Sequence, residues 1–242
     1  RESNFPSRRL RFIMQAAKTI KLSELCSLAA TLAFRGGKVI KSTHESRDLQ
    51  IKEKAKDDPF TIADVTVQKY IITNLEKKWP ELRIIGEEDA KETADIEVAV
   101  DVENIDINAI SQEYLVSRNG EFVDEVPIED LTVWVDPVDA TKEFTKGILS
   151  NCTSLIGISM NNSPLIGIIH WPYSLNDTTY SPRTIIGGPC IAGVVDFDPE
   201  AGSIKDLEKR SREKAEGDNT LYINTTASHN NAEVDKLTTL DN

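Results

Sequence analysis

The chain has 242 residues, 39% of them hydrophobic, which suffices for a buried core and for one large domain or two small ones. A formal net charge of -12 excludes a protein that grips a nucleic-acid backbone, since that needs clustered Lys and Arg. No apolar run approaches the roughly eighteen residues of a membrane span, and three widely spaced cysteines, Cys26, Cys152 and Cys190, give neither a disulfide framework nor a zinc site.

Those thiols fit a reducing compartment, so a cytoplasmic location is expected. The basic opening segment lacks the apolar core of a signal peptide, although a start at Arg1 leaves room for a removed targeting segment. Residues 1–20 read as an irregular, loosely held extension. From Lys21 apolar residues recur at helical spacing: Leu22, Leu25, Cys26, Leu28, Ala29, Leu32, Ala33, Val39 and Ile40, with Gly36 and Gly37 inside the run. This predicts a structural helix packed on a sheet, with no chemistry assigned to it.

Leu49–Ala55 alternates as a half-exposed strand would, and Asp57-Asp58-Pro59 ends it. A second helix follows, with Ile62, Val65, Val67, Ile71, Ile72 and Leu75 on its buried face and a stop at Trp79-Pro80. Asp64 lies in its first turn, where a carboxylate complements the helix dipole. Leu82–Gly86 is a short β-branched run that stops at Glu87-Glu88-Asp89, which alone reads as a solvated acidic loop as readily as a site. Between Glu87 and Asp130 there are fifteen Asp or Glu against two basic residues. This stretch reads as a long excursion between core strands, with a short helix near Ile105–Tyr114.

The organising stretch is 131–147. An apolar β-branched run, Leu131–Val135, ends at Asp136, and a turn anchored by Pro137 then presents Asp139 and the hydroxyl of Thr141. A buried strand fixes the backbone, so Asp136, Asp139 and the carbonyl of Val138 are aimed at one point, as a hard divalent cation requires. Two apolar strands each ending in acid would, as sheet neighbours, bring Glu87 and Asp136 together at the carboxyl edge, where ligands of open α/β sheets bind. Further on, Thr153–Met160 and Leu165–His170 form a hairpin around Asn161-Asn162-Ser163-Pro164, and His170 reads as a packed strand-end residue. Residues 183–195 hold further short strands, and 199–218 is densely charged and reads as an exposed helix or mobile insertion. A strand at Leu221–Asn224 precedes a hydroxyl-rich turn, Thr225 to His229.

Gly86-Glu87-Glu88 followed by Trp134-Val-Asp-Pro-Val-Asp-Ala-Thr141 resembles the signature of the inositol monophosphatase superfamily of magnesium-dependent, lithium-sensitive phosphatases. Within it, residues 139–145, the Thr61-Ile-Ala-Asp64 helix start and Thr226-Ala-Ser-His229 look like the 3′(2′),5′-bisphosphate nucleotidases. The resemblance implies a layered αβαβα sandwich of the sugar-phosphatase type. It also implies two or three Mg²⁺ ions: Glu87, Asp136 and the Val138 carbonyl holding the first, Asp136 and Asp139 a second, Glu87 helping with a third. Thr141 would orient the attacking water and Asp64 would take its proton through the Thr hydroxyl. Ala140, Thr226, Ser228 and His229 match positions near the substrate phosphate and nucleoside. Ala140 stands where glycine is commoner, as in Golgi-type members, which makes a lumenal location the alternative to the cytoplasm.

The implied reaction removes the 3′-phosphate of adenosine 3′,5′-bisphosphate. An inositol polyphosphate 1-phosphatase and a metal- and phosphate-binding protein of impaired activity are the alternatives. The expected partner is a small phosphorylated nucleotide, with neither nucleic acid nor membrane, and a monomer is expected. The expected domains are 21–198 for the metal-binding phosphatase and 199–242 for a charged insertion and the start of a further domain. The family's C-terminal Trp-Asp motif has no match in 230–242, so the chain reads as truncated there.

Overall fold

The first strand, β1 (Thr19–Lys21), runs straight into the long helix α1 (Leu22–Ser46), whose N-terminus is capped from a distance. Asp124 accepts from the Ser23 backbone N–H and from its hydroxyl, both at 2.8 Å, and so satisfies a donor that the helix leaves open. The computed structural model describes residues 18–56, 58–116, 124–173 and 180–207. All of these lie in one unit, Arg1–Glu208. The hairpin β2 (Lys52–Ala55) and β3 (Asp58–Phe60) leads into helix α2 (Ile62–Lys78), then β4 (Arg83–Gly86) and the single turn α3 (Ala90–Thr93). Strand β5 (Glu125–Pro127) pairs antiparallel with β1. Next come β6 (Leu131–Asp139), the short helix α4 (Thr141–Thr145), β7 (Thr153–Met160), β8 (Ser163–Tyr173), β9 (Tyr180–Gly187), β10 (Val194–Asp198) and β11 (Ser203–Asp206).

Seven strands form one mixed sheet in the order β11-β10-β9-β8-β7-β6-β4, antiparallel except for the β4–β6 pair. Its buried face carries Leu131, Val133, Val135, Ile156, Ile158, Ile166, Ile168 and Ile186, on which α1 and α2 pack. The glycine pair inside α1 is explained by that packing. A Cβ on Gly37 would stand 2.1 Å from Nε2 of His170, and one on Gly36 would stand 2.9 Å from a Val67 methyl. The helix therefore lies closer to β8 and α2 than any side chain at these positions would allow. His170 is the packed residue expected of it, fully buried and bonded through Nδ1 to the Thr184 hydroxyl at 3.0 Å.

Four expectations change. Thr19–Lys21 is a paired strand, because its edge meets β5, which lies too far along the chain for local pattern to reveal. All four residues of β2 are exposed, so the alternation in 49–55 reports no buried face. The stretch 105–114 holds no α-helix: 3-10 turns at Val102–Asn104 and Gln112–Tyr114 bracket it, with Ile105 and Ile110 anchoring loop to core. Within 199–218, residues 203–206 form β11, a hairpin partner of β10. No helix among the described residues is long and apolar enough to cross a membrane.

Candidate active site

Helix α2 begins at Thr61, whose hydroxyl accepts from the Ala63 N–H at 3.2 Å, while Oδ2 of Asp64 accepts from the Thr61 N–H at 2.7 Å and hydroxyl at 2.6 Å. This is a capping box with Asp in the place of the usual Glu, so Asp64 does more than complement a dipole. Its other oxygen, Oδ1, accepts from the Thr141 hydroxyl at 2.9 Å, across 77 residues of sequence. Asp64 is buried. Burial raises its pKa, against the opposing bonds from Thr61 and Thr141.

One turn along the same helix, Gln68 clamps the backbone of Glu88: its Oε1 accepts from the Glu88 N–H and its Nε2 donates to the Glu88 carbonyl, both at 2.8 Å. Gly86 makes room for this, because a Cβ there would fall 2.3 Å from the Gln68 amide carbon. Neither Gln68 nor Glu88 stood among the sequence candidates, although the Glu-Glu pair hinted at the second. The parallel register pairs Gly86 with Val135, and the Glu87 N–H continues the ladder by donating to the Val135 carbonyl at 3.0 Å. Glu87 and Asp136 thus follow one another at the carboxyl edge, as the two acid-ended strands implied.

Beyond Asp136 the strand does not end. Asp136 pairs with Leu155 and Asp139 with Thr153, so three steps along β6 match two along β7. That extra residue is a β-bulge at Pro137-Val138. In a regular strand, positions three apart face opposite sides; the bulge restores Asp136 and Asp139 to one face, that of Leu155 and Thr153. Pro137 suits it, having no N–H to leave unpaired. Thr153 donates to Asp139 Oδ2 at 3.3 Å. Ala140 then adopts φ 67°, the left-handed region, and turns the chain into α4. Thr141, the first residue of α4, stands between Asp64 and the Val138 carbonyl, which its Oγ1 approaches at 2.8 Å.

The charges at this edge are crowded. Burial first, and then the neighbouring Glu87, Asp139 and Asp64, push the Asp136 carboxyl up to about 8, and its buried Oδ1 has no hydrogen-bond partner. Burial also raises Glu88, against the opposing charge of Lys54, whose Nζ lies 2.6 Å from Glu88 Oε1 and 3.1 Å from Glu87 Oε1. For Lys54 itself burial lowers the pKa, but the bonds and charges of Glu88 and Glu87 outweigh it and the net shift is upward. Among the described residues no three His, Cys, Asp or Glu side chains close to metal-ligand spacing. The donor set nonetheless fits a hard divalent cation in kind: Glu87, Asp136 and Asp139 carboxylates at one sheet edge, a carbonyl beside them, and one buried oxygen with an open lone pair.

Thr226, Ser228 and His229 lie outside the described residues. Of the other candidates, the fold brings Asp64, Thr141 and Val138 into direct contact and sets Glu87, Asp136 and Asp139 around them; Ala140 acts through its backbone.

Residues 21–234 match the Inositol monophosphatase family. The chain belongs to that family. It is 33% identical over 220 residues to 3'(2'),5'-bisphosphate nucleotidase 1 of Dictyostelium discoideum, covering 90% of this chain and 67% of that protein. It is 39% identical over 153 residues to the protein of the same name from Rattus norvegicus, covering 63% of this chain and 48% of the relative. Against the extragenic suppressor protein suhB of Bartonella henselae the fold aligns with a TM-score of 0.48 at 18% identity, over 72% of this chain and 51% of that one. The chain therefore spans two thirds of the Dictyostelium relative and about half of the rat one. The described residues form an α/β fold with one mixed sheet, the class that the signature implied. A cavity of ≈730 Å³ lies elsewhere, lined by Phe34, Trp171, Arg183, Asp196 and Lys205 but by none of the site carboxylates.

Proposed function

We propose that this protein is a Mg²⁺-dependent phosphatase that removes the 3′-phosphate of adenosine 3′,5′-bisphosphate to give AMP and phosphate. The observation that carries this reading is the chain of contacts from Asp64 through the Thr141 hydroxyl to the Val138 carbonyl, set on the bulge that aligns Asp136 with Asp139. The names of the two relatives at 33% and 39% identity favour a nucleotide over an inositol phosphate.

Glu87, Asp136, Asp139 and the Val138 carbonyl would hold the metal, which, when bound, would lower the pKa of a water and neutralise phosphate charge. The rest belongs to side chains. The Thr141 hydroxyl has one proton and two acceptors, and the Asp64 carboxylate is the stronger of them. With its proton turned to Asp64, Thr141 keeps a lone pair for the proton of an incoming water and so fixes the water's orientation. As the water attacks phosphorus, its proton passes to Thr141 and the Thr proton to Asp64, while the bond from phosphorus to the 3′-oxygen breaks and that oxygen leaves as the 3′-hydroxyl of AMP, protonated from solvent. The raised pKa of Asp64 suits that receipt, because a buried carboxylate is a better base than an exposed one. Thr61 holds Asp64 in place throughout, through bonds to Oδ2 that leave Oδ1 for the reaction.

The buried thiols of Cys26 and Cys152 are compatible with a reducing, cytoplasmic setting. The test is phosphate release from adenosine 3′,5′-bisphosphate and from inositol 1,4-bisphosphate, with and without Mg²⁺, beside Asp136→Asn. Mg²⁺-dependent release from the nucleotide, lost in the variant, is expected. Preferential release from the inositol phosphate would move the assignment to the 1-phosphatase, and binding of Mg²⁺ and nucleotide without turnover would leave a binding protein.

A further inference from the structure

Lys54 carries positive charge into a site whose ligands are carboxylates. It comes from the exposed strand β2, yet its side chain is turned inward and is only 27% exposed. Two contacts hold it, and they differ in kind. Glu88 Oε1, at 2.6 Å, belongs to a side chain 1% exposed, so this ion pair, although not aligned as a hydrogen bond, is an anchor inside the protein. Glu87 Oε1, at 3.1 Å, belongs to a side chain 48% exposed, free to leave the ammonium for another partner. The anchor is rigid on its own account, since Gln68 grips the Glu88 backbone from both sides. Glu87 is also the residue whose carboxylate, beside Asp136, would receive a divalent cation.

An ammonium and a divalent ion cannot share one carboxylate without repulsion. Entry of the metal therefore means separating Lys54 from Glu87, while Glu88 keeps the ammonium within a few ångströms of the site. We propose that Lys54 is a tethered counter-ion that competes with divalent metal for Glu87, pairing the carboxylate before metal binds and weakening the metal's hold afterwards. The inference rests on the metal-site reading above and adds a residue that the ligand set does not contain. It gives the β2–β3 hairpin a role: exchange of metal at Glu87 is tied to the position of one hairpin side chain.

The test is Mn²⁺ binding by isothermal calorimetry on the full 242-residue chain, as wild type, Lys54→Gln and Lys54→Arg. Removing one nearby charge is expected to tighten Mn²⁺ binding about tenfold in Lys54→Gln, whereas Lys54→Arg, which keeps the charge, stays within about twofold of wild type. Equal or weaker binding by Lys54→Gln would overturn the inference and leave the metal site standing. No Mn²⁺ binding by wild type or either variant would remove the metal-site reading, and the inference with it. If Lys54→Gln fails to fold because buried Glu88 loses its partner, Glu88→Gln is compared with the double variant Lys54→Gln/Glu88→Gln. Tighter binding by the double variant then supports competition, and equal binding overturns it.

Discussion

The crowding at Asp136 makes replacement by Asn a gain in stability and a loss of function. In the folded chain without metal the Asp136 carboxyl is pushed up to about 8, against an ordinary value of 3.8 when unfolded. The sign follows from proton binding. Between these values the folded chain holds a proton that the unfolded chain has released, so stability falls as pH rises and is lowest above about 8. From about pH 6.5 to about pH 8 the span is roughly 1.5 units at ~1.36 kcal/mol each, or ~2 kcal/mol, of which His170, half protonated in the unfolded chain at the lower pH, offsets ~0.4 kcal/mol. Solvent reaches part of Asp136 and screens its neighbours, so ~1–2 kcal/mol is the expected loss. Asp136→Asn cannot ionise and should show no such slope. Urea denaturation in EDTA at the two pH values reads this directly: wild type should lose stability, Asp136→Asn should hold constant and be the more stable at about pH 8. Excess Mg²⁺ should then stabilise wild type alone. A variant less stable than wild type in EDTA at about pH 8 would show that the carboxylates are not in conflict, and the electrostatic case for a cation at this edge would collapse.

Three further outcomes follow from neighbouring geometry. Thr141→Val keeps the shape of Thr141 but removes its bond to Asp64, and should lower kcat by about 10²-fold or more while leaving Mn²⁺ affinity unchanged by calorimetry; a fall in affinity with normal kcat would place Thr141 among the ligands instead. Ala140→Gly should raise stability by up to ~1 kcal/mol, because φ 67° strains any residue with a Cβ; a lower thermal midpoint would contradict this. Burial holds His170 down at about 3, so the unfolded chain takes up a proton below about pH 6.5 that the folded chain refuses. Stability should be full above that pH and fall by ~2 kcal/mol by about pH 5, measured in the Asp136→Asn background to remove the opposing slope, and a flat profile there would count against a neutral buried imidazole.

The candidate site was legible where chemistry and local pattern coincide. Two β-branched runs that each stop at an acid could be read as neighbouring strands, and the register of Gly86 with Val135 makes them so. What stayed hidden is non-local or depends on counting residues across a ladder. The bulge at Pro137-Val138 exists only relative to β7, so β6 seemed to end at Asp136 when it runs on to Asp139. The capping box was missed because Asp64 replaces the Glu or Gln that marks the motif. Lys54 carries no signal in the sequence, since no pattern within β2 says that its side chain turns towards Glu88. The 105–114 stretch misled as well: Ile105 and Ile110 are buried as separate anchors of a loop and not along one helical face.

Helix α2 emerges as the part that registers the site, although most of its apolar surface serves the core. Asp64 and Gln68 are one turn apart and both buried, so they share a face. Asp64 reaches Thr141 at the start of α4, and Gln68 reaches Glu88 just past the end of β4. One rigid helical turn thereby fixes two segments that enclose the end of β6, where Asp136 and Asp139 stand. Side chains placed in this way on a helix and a sheet hold their positions better than side chains on loops, and hydrolysis of a phosphate ester depends on such positioning together with charge. The same economy accounts for the tightness around Gly86: the strand must come close enough for a short amide side chain to bridge it, and only a residue without a Cβ permits that approach.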